Sequence, residues 1–220
     1  MSMLGEYASF PERGVVGLFE RHGANPRGCI HVGTWDCCEM DCYLRLFGNN
    51  VFWVEANHHT YVNVSTPIIR TRAPEQKLYH FAAWDKDNEE LELLIPNRAD
   101  CSSLLPSDGH DPVFIPINRE MVKTKTLDTF IQEQNLDMSQ IDYLNIDTEG
   151  SEYNILEGVK NNLHYIDYLI VEVANRERFK GMVVFNEMED YLREKGFILV
   201  ENSDMKDDWG DAFFIRESKL

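Results

Sequence analysis

The chain has 220 residues and a formal net charge of -17, from 21 basic and 38 acidic side chains. Its length fits one domain of roughly 100–200 residues, and 43% hydrophobic with 27% charged residues describes a folded globular protein, not a disordered one. No basic run is present to neutralise phosphates, so the acidic balance argues against a nucleic-acid partner and against an anionic membrane surface.

Along the chain, the start lacks a basic stretch followed by an apolar core, so no secretory leader is expected. No apolar run approaches the ~20 residues of a membrane span. The five cysteines, three of them clustered at Cys37, Cys38 and Cys42, form no CxxC pair and are expected as packed free thiols in a reducing, cytoplasmic setting. Residues 1–27 read as a helical lead-in and 28–220 as one domain. The first strand, 28–33, ends at Gly33. A helix over 36–47 places Met40, Tyr43, Leu44 and Phe47 on one face, and Gly48 stops it. A second strand, 51–55, ends on Glu55, and His58-His59 begin the next helix. A third strand covers 77–83, with His80 expected in the core with a satisfied nitrogen. Residues 90–95 form a hairpin arm, and 96–116 are loop. A capped helix follows at 127–134, then a strand at 143–147 ending on Asp147. The segment after Gly150 is helical, and a strand at 168–172 ends on Glu172. A helix at 185–195 stops at Gly196. Strands 197–201 and 212–216 pair antiparallel across an acidic turn, 204–211, assigned to solvent.

Five parallel strands with intervening helices and a final antiparallel pair make an α/β fold. It is a doubly wound, mostly parallel seven-stranded sheet with a C-terminal antiparallel strand. Ligands in such sheets sit outside the carboxyl ends of the strands, which singles out Gly33, Glu55, Ala83, Asp147 and Glu172. A glycine ending the first strand allows a tight turn against a ligand. An acid 22 residues later, at the end of the second strand, suits the hydroxyls of a ribose. No GxGxxG is present, and on spacing alone a surface turn plus a strand-end acid explains the pair equally well. In the stretch Asn145-Ile146-Asp147-Thr148-Glu149-Gly150-Ser151-Glu152, an apolar strand delivers Asp147 and Glu149 to the ligand edge. Glu152 reads as a helix-start acid.

Those residues also carry a resemblance. The segment Lys125-Thr126-Leu127-Asp128, followed by 145–158 (NIDTEGSEYNILEG), is similar to the "TLD" and "KIDVEGAE…VL.G" patterns of the FkbM-type methyltransferases. Supporting matches are His31-Val32-Gly33, Val54-Glu55-Ala56-Asn57, Ala82-Ala83-Trp84-Asp85, Ser102-Ser103-Leu104-Leu105 and Leu169-Ile170-Val171-Glu172, in family order from about residue 28 to 216. The resemblance implies a class I, Rossmann-like enzyme using S-adenosyl-L-methionine for O-methylation, with a sugar or glycan hydroxyl as acceptor. It further implies a place within a larger multidomain glycosyltransferase. On this basis His31, Gly33 and Thr34 line the methionine and ribose end of the cofactor, Glu55 holds the ribose with Ala56 beside it, Ala83 and Trp84 flank the adenine, and Asp147 stands at the reactive end.

A hydroxyl acceptor benefits from a general base. The candidates are Asp147, Glu149, Glu172 and, from a loop folding over the site, His110. Asp147 and Glu172 are also the pair that would hold a divalent cation; hydrogen bonding within the loops is preferred to a metal. Loops 96–116 and 175–184, with Arg98, Ser102, Ser103, His110, Asn175, Arg176 and Arg178, are expected to select a polar acceptor. Three departures stand out. His31 replaces an acid, Cys37 occupies a glycine position, and Asn145 replaces a lysine and so removes a charge near the site. They motivate the rival reading, a non-catalytic binding module of a glycan-assembly protein. A nicotinamide oxidoreductase is disfavoured by the missing GxGxxG.

Overall fold

A computed structural model describes residues 14–203 and 208–220. Of the acidic turn, residues 204–207 lie outside the described residues, as do 1–13 of the lead-in. In chain order the elements are α1 (Gly14–Arg21), β1 (Cys29–Val32), α2 (Met40–Phe47), β2 (Val51–Glu55), α3 (His58–Thr60), a π turn (Tyr61–Ser65) and α4 (Thr66–Arg72). Then come β3 (Lys77–His80), β4 (Ala82–Ala83), β5 (Glu90–Pro96), β6 (Pro116–Lys125), α5 (Leu127–Glu133) and β7 (Tyr143–Ile146). The chain ends with α6 (Glu152–Gly158), β8 (Tyr168–Ala174), α7 (Phe185–Glu194), β9 (Phe197–Asn202) and β10 (Trp209–Arg216).

Seven strands form one sheet in the order β3-β2-β1-β7-β8-β10-β9. The first five are parallel, and β10 runs antiparallel between β8 and β9. The strand order reverses between β1 and β7, which opens a crevice at their carboxyl ends. Side-chain alternation divides the core. Ile30, Val32, Leu144 and Ile146 face α5, α6 and α7, packing with Leu127, Phe130, Leu156 and Leu192. Cys29, Trp53, Tyr143 and Phe213 face α1 and α2, packing with Leu18, Phe19, Met40 and Tyr43. Among the described residues no helix is long and apolar enough to cross a membrane.

Three expectations are corrected. The third strand does not run unbroken over 77–83. Lys77–His80 belongs to the main sheet, whereas Ala82–Ala83 pairs with Thr124 and Lys125 in a second sheet ordered β4-β6-β5. Phe81 marks the break, its ring 5.1 Å from Phe130. His80 consequently lies at an exposed strand end and not in the core, with Nε2 3.1 Å from the Ala56 carbonyl. The helix expected from residue 36 begins at Met40, because Trp35 (φ 41°) and Cys37 (φ 54°) adopt left-handed backbone that no α-helix contains. Strand β6 is the partner that the 90–95 hairpin arm requires, but its own sequence does not mark it: within its polar run PINREMVKTK only Val122 and Thr124 are buried.

Helix α1 is part of the core. Phe19 is fully buried and meets Tyr143, Tyr168 and Phe213 edge-on at 5.1, 5.8 and 5.5 Å. Phe19→Ala should therefore cost about 3–5 kcal/mol of stability, read as a lowered urea midpoint. A change within experimental error would show that α1 packs only peripherally.

Candidate functional site

Gly33, at the end of β1, sits at φ 91°, and a Cβ there would come within 1.7 Å of the Asp147 carbonyl oxygen. Only glycine allows β1 and β7 to approach so closely at the mouth of the crevice. The turn is held by Gly33 N–H donating to Val54 O and Asp147 N–H donating to Val32 O, both at 3.0 Å. Behind the sheet, His31 faces the aromatic layer, not the crevice. It is buried, and desolvation lowers its pKa, so the ring is neutral. Its Nε2 donates to the Gly33 carbonyl at 3.0 Å, which leaves Nδ1 to accept from the Tyr43 hydroxyl at 2.9 Å. The Tyr43 oxygen in turn accepts from Asn145 Nδ2 at 2.8 Å. His31 thus supports the glycine turn and has no ring nitrogen left for a ligand. Asn145 belongs to the same layer, so its replacement of lysine leaves the charge in the crevice untouched.

At the end of β2, Glu55 is nearly buried. Its Oε2 accepts from the Thr34 hydroxyl (3.1 Å) and the Trp35 N–H (3.2 Å), and Oε1 accepts from the Asn57 N–H (2.7 Å). Desolvation raises its pKa against the pull of these donors. The Thr34 hydroxyl has a second partner in Ser65 Oγ at 3.1 Å. Ala56 packs against the second sheet beside Ala82. Ala83 is buried, and Trp84 is fixed by its backbone, donating to Lys125 O and lying against Gly158, where a Cβ would come within 2.1 Å of the Trp84 carbonyl.

The ends of β7 and β8 bring Asp147, Glu149 and Glu172 together. Asp147 reaches solvent on the crevice floor, yet the surrounding protein holds its carboxyl well above the usual range through desolvation and then the charge of Asp211. Glu172 is raised by desolvation and then by Glu149 and Asp147. Glu149 is pushed up to about 7 by desolvation and by Glu152, while a hydrogen bond from Cys101 and the charge of Arg178 pull it down. Glu149 adopts φ 57°, and Ser103 Oγ donates to its carbonyl at 2.6 Å. Glu152 braces this loop, its Oε1 accepting from the Thr148 N–H and hydroxyl and from the Gly150 N–H. Asp211 pairs in register with Glu172 across β8 and β10. It belongs to this cluster rather than to a solvated turn, and an acidic run gave no sign of that.

The loops at 96–116 and 175–184 meet above the cluster. Ser107 bridges to Phe179, Asp108 N–H donates to Arg178 O at 2.8 Å, and Arg176 pairs with Asp108 at 2.6 Å. The Arg178 guanidinium lies 4.6 Å from the Phe114 ring centroid and 5.3 Å from that of Trp209. Its buried Nε has no hydrogen-bond partner among the described residues. Between Arg178, Glu149 and Glu172 lies a small cavity of about 10 Å³. His110 stays on the outside of the loop, 78% exposed at its side chain and 3.0 Å from Asp108. A roomier groove, about 740 Å³, lies between α5 and α6 near Asp128 and Asn161. Motif residues Asp85, Thr126, Asp128 and Gly158 line it, but none of the candidate catalytic or cofactor residues does, and it lies away from the ends of β1, β2, β7 and β8 at which chemistry gathers in this topology.

Comparison with known proteins identifies the family and the fold. A family model described as the methyltransferase FkbM domain matches residues 22–199. Among solved structures, the chain is similar to Streptococcus pneumoniae Sp1610 in complex with S-adenosyl-L-methionine, at 12% identity over 91% of this chain and 71% of that one, with a TM-score of 0.51. It is also similar to magnesium protoporphyrin IX methyltransferase of Synechocystis PCC 6803 (8%, covering 92% and 76%, TM-score 0.49) and to M. capricolum TrmK (15%, covering 89% and 64%, TM-score 0.49). The chain thus spans 64% of the TrmK chain. At such identities the likeness is one of fold. No curated protein matches.

The raised Glu149 carboxyl has a consequence for stability. A carboxyl with a folded pKa above its unfolded value stabilises fully below the unfolded value, and that stability is lost as pH rises through the folded one. For Glu149 the window runs from 4.5 up to about 7. Glu149→Gln should therefore lose less of its urea midpoint between pH 5 and pH 8 than the parent protein. An identical loss in both would contradict the assignment.

Proposed function

The chain belongs to the family of FkbM-domain methyltransferases, and from that premise we propose that it transfers a methyl group from S-adenosyl-L-methionine to a hydroxyl of a sugar or glycan. The observation that carries the cofactor reading is the meeting of Gly33, Glu55 and Asp147 at one sheet edge, beside the strand-order reversal. The tight turn at Gly33, where a Cβ would clash with the Asp147 carbonyl, and the strand-end carboxylate of Glu55 suit the close approach of the cofactor's methionine and ribose. When bound, the cofactor supplies a methyl group on a sulfonium, open to in-line displacement. Gly33 and Thr34 give the backbone its close approach. Because Thr34 has Ser65 as an alternative partner, its hydroxyl can release Glu55 Oε2 to a ribose hydroxyl. Ala56, Ala83 and Trp84 border the adenine end. The carboxylates of Asp147, Glu149, Glu172 and Asp211 favour a cation at the reactive end.

The acceptor half of the proposal rests on the opposite wall. Phe114 and Trp209 offer ring faces, Arg178 an unpartnered N–H, and the carboxylates acceptors, a mixture suited to a hydroxyl-rich ring. Loops 96–116 and 175–184 orient it, and orientation alone supplies several kcal/mol of the barrier reduction. Glu149, with a pKa of about 7, is placed to take the hydroxyl proton near neutral pH. Asp147 and Glu172 hold the acceptor by hydrogen bonds, and His110, on the outside of its loop and paired with Asp108, takes no part in the transfer. Asp147 and Glu172 are also the pair a divalent cation would take, and the transfer is written without one.

The test is transfer of labelled methyl from S-adenosyl-L-methionine to a panel of monosaccharides and nucleotide sugars. Glu149→Gln should lower kcat about 100-fold, as expected for loss of the general base, while Glu55→Ala should weaken cofactor binding about tenfold, as expected for losing a hydrogen bond to a charged group. Label appearing on protein or lipid but on no saccharide would overturn the acceptor assignment. Unchanged cofactor affinity in Glu55→Ala would overturn the ribose assignment.

A further inference from the structure

A second group of donors lies outside the carboxylate cluster, on the rim formed by α3, β3 and β6. His58, His80 and Glu120 each offer one ligand atom, and these atoms all lie within 4.8 Å of one another. We propose that they form a binding site for a borderline divalent transition metal, zinc in the first instance, with three protein ligands and a fourth position open to water. Two imidazoles and a carboxylate are a donor set for zinc, whereas magnesium and calcium take oxygen ligands. The ring geometry agrees. Two imidazoles on one tetrahedral ion with Zn–N arms of about 2.0–2.1 Å place their ring centroids about 5 Å apart, and the centroids of His58 and His80 are 5.1 Å apart, tilted by 57°.

The surrounding contacts orient these ligands as outer-shell partners do in metal sites. His80 Nε2 lies 3.1 Å from the Ala56 carbonyl. A carbonyl only accepts, so the proton sits on Nε2 and Nδ1 presents its lone pair. Tyr61 stacks on the His80 ring at 4.9 Å and 27°. The His58 backbone N–H donates to Glu120 Oε2 at 3.3 Å, which fixes the carboxylate beside the first imidazole and leaves its other oxygen. His58 and His80 are exposed and Glu120 half-buried, so small side-chain rotations are free to draw the three donors onto one ion. A metal there would join the edge of the main sheet to the second sheet. It would sit beside Glu55, which is the register partner of His80 and is held by the N–H of Asn57, the residue before His58.

The experiment titrates Zn²⁺ into the chelator-treated protein by calorimetry and records the visible spectrum after loading with Co²⁺. One ion per chain and the intense absorption of tetrahedral Co²⁺ are expected. His58→Ala, His80→Ala and Glu120→Gln should each bind at least about tenfold more weakly, the scale seen when metal sites lose even a supporting partner. His59→Ala, one residue away but outside the group, should bind as the parent does. Far-UV circular dichroism of the zinc-free variants checks the fold; His58 and His80 are exposed, and Glu120→Gln keeps the shape and an acceptor oxygen for the His58 N–H. The proposal is overturned if the parent binds no zinc, if His58→Ala and His80→Ala bind as tightly as the parent, or if the loss follows His59 instead.

Discussion

The site depends on the contact between Gly33 and the backbone of Asp147. Two parallel strands stay paired to their ends at the point where strand order reverses, and the crevice outside those ends is useful only if the turn leaving β1 stays tight. The positive φ of Gly33 and the 1.7 Å that would separate a Cβ there from the Asp147 carbonyl show how little room remains. That closeness sets the position of Asp147 relative to the turn, while Glu172 is placed beside it by the pairing of β8 with β10. Behind the sheet, the chain of hydrogen bonds from Asn145 through Tyr43 and His31 to the Gly33 carbonyl fixes the turn from the core side. Each member of that chain is buried, so a missing partner would leave an unsatisfied polar group at a cost of about 1–3 kcal/mol. The unusual residues His31 and Asn145 are therefore best understood as one substitution set that supports the loop, and they do not argue for a site that has lost its chemistry.

The acidic character of the protein divides along the same line. Most carboxylates are solvated or ion-paired at the surface, such as Asp41 with Arg72 and Glu189 with Arg193. Asp147, Glu149, Glu172 and Asp211 instead crowd one crevice, where desolvation and mutual repulsion hold the carboxyls of Asp147, Glu149 and Glu172 above their usual range. Crowding of this kind costs stability and is retained where charge has a use. Arg178 is the counterweight, held between Phe114 and Trp209, and it belongs to the loop pair that encloses the cluster.

Much of this is legible in the sequence, for a definite reason. Strands β1, β2 and β7 are short apolar runs that stop at Gly33, Glu55 and Asp147, whereas β8 reads as ending on Glu172 but runs on to Ala174, because Val173 and Ala174 pair with β10. A buried parallel strand followed by a polar residue is the pattern that this topology turns into a ligand edge. The parts that are not legible fail for equally local reasons. Strand β6 buries so little that its alternating charges read as loop. The break at Phe81 reflects packing on Phe130, a contact that no spacing rule encodes. His80 looks like a core residue because it follows Leu78 and Tyr79, but it ends an edge strand. Asp211 is hidden in a run of acids and becomes part of the site only when β10 inserts beside β8. The late start of α2 follows from the left-handed backbone at Trp35 and Cys37, which the helical spacing of the apolar residues beyond them cannot reveal.

The central claim is that one ligand edge, Gly33 to Glu55 to Asp147, receives the cofactor. Hydrogen–deuterium exchange with and without S-adenosylhomocysteine tests it most directly, since a bound ligand slows exchange at the backbone it orders. Protection should concentrate at residues 33–37, 55–57 and 147–150, with the groove between α5 and α6 unchanged. Protection confined to that groove, or none anywhere at saturating ligand, would contradict the account.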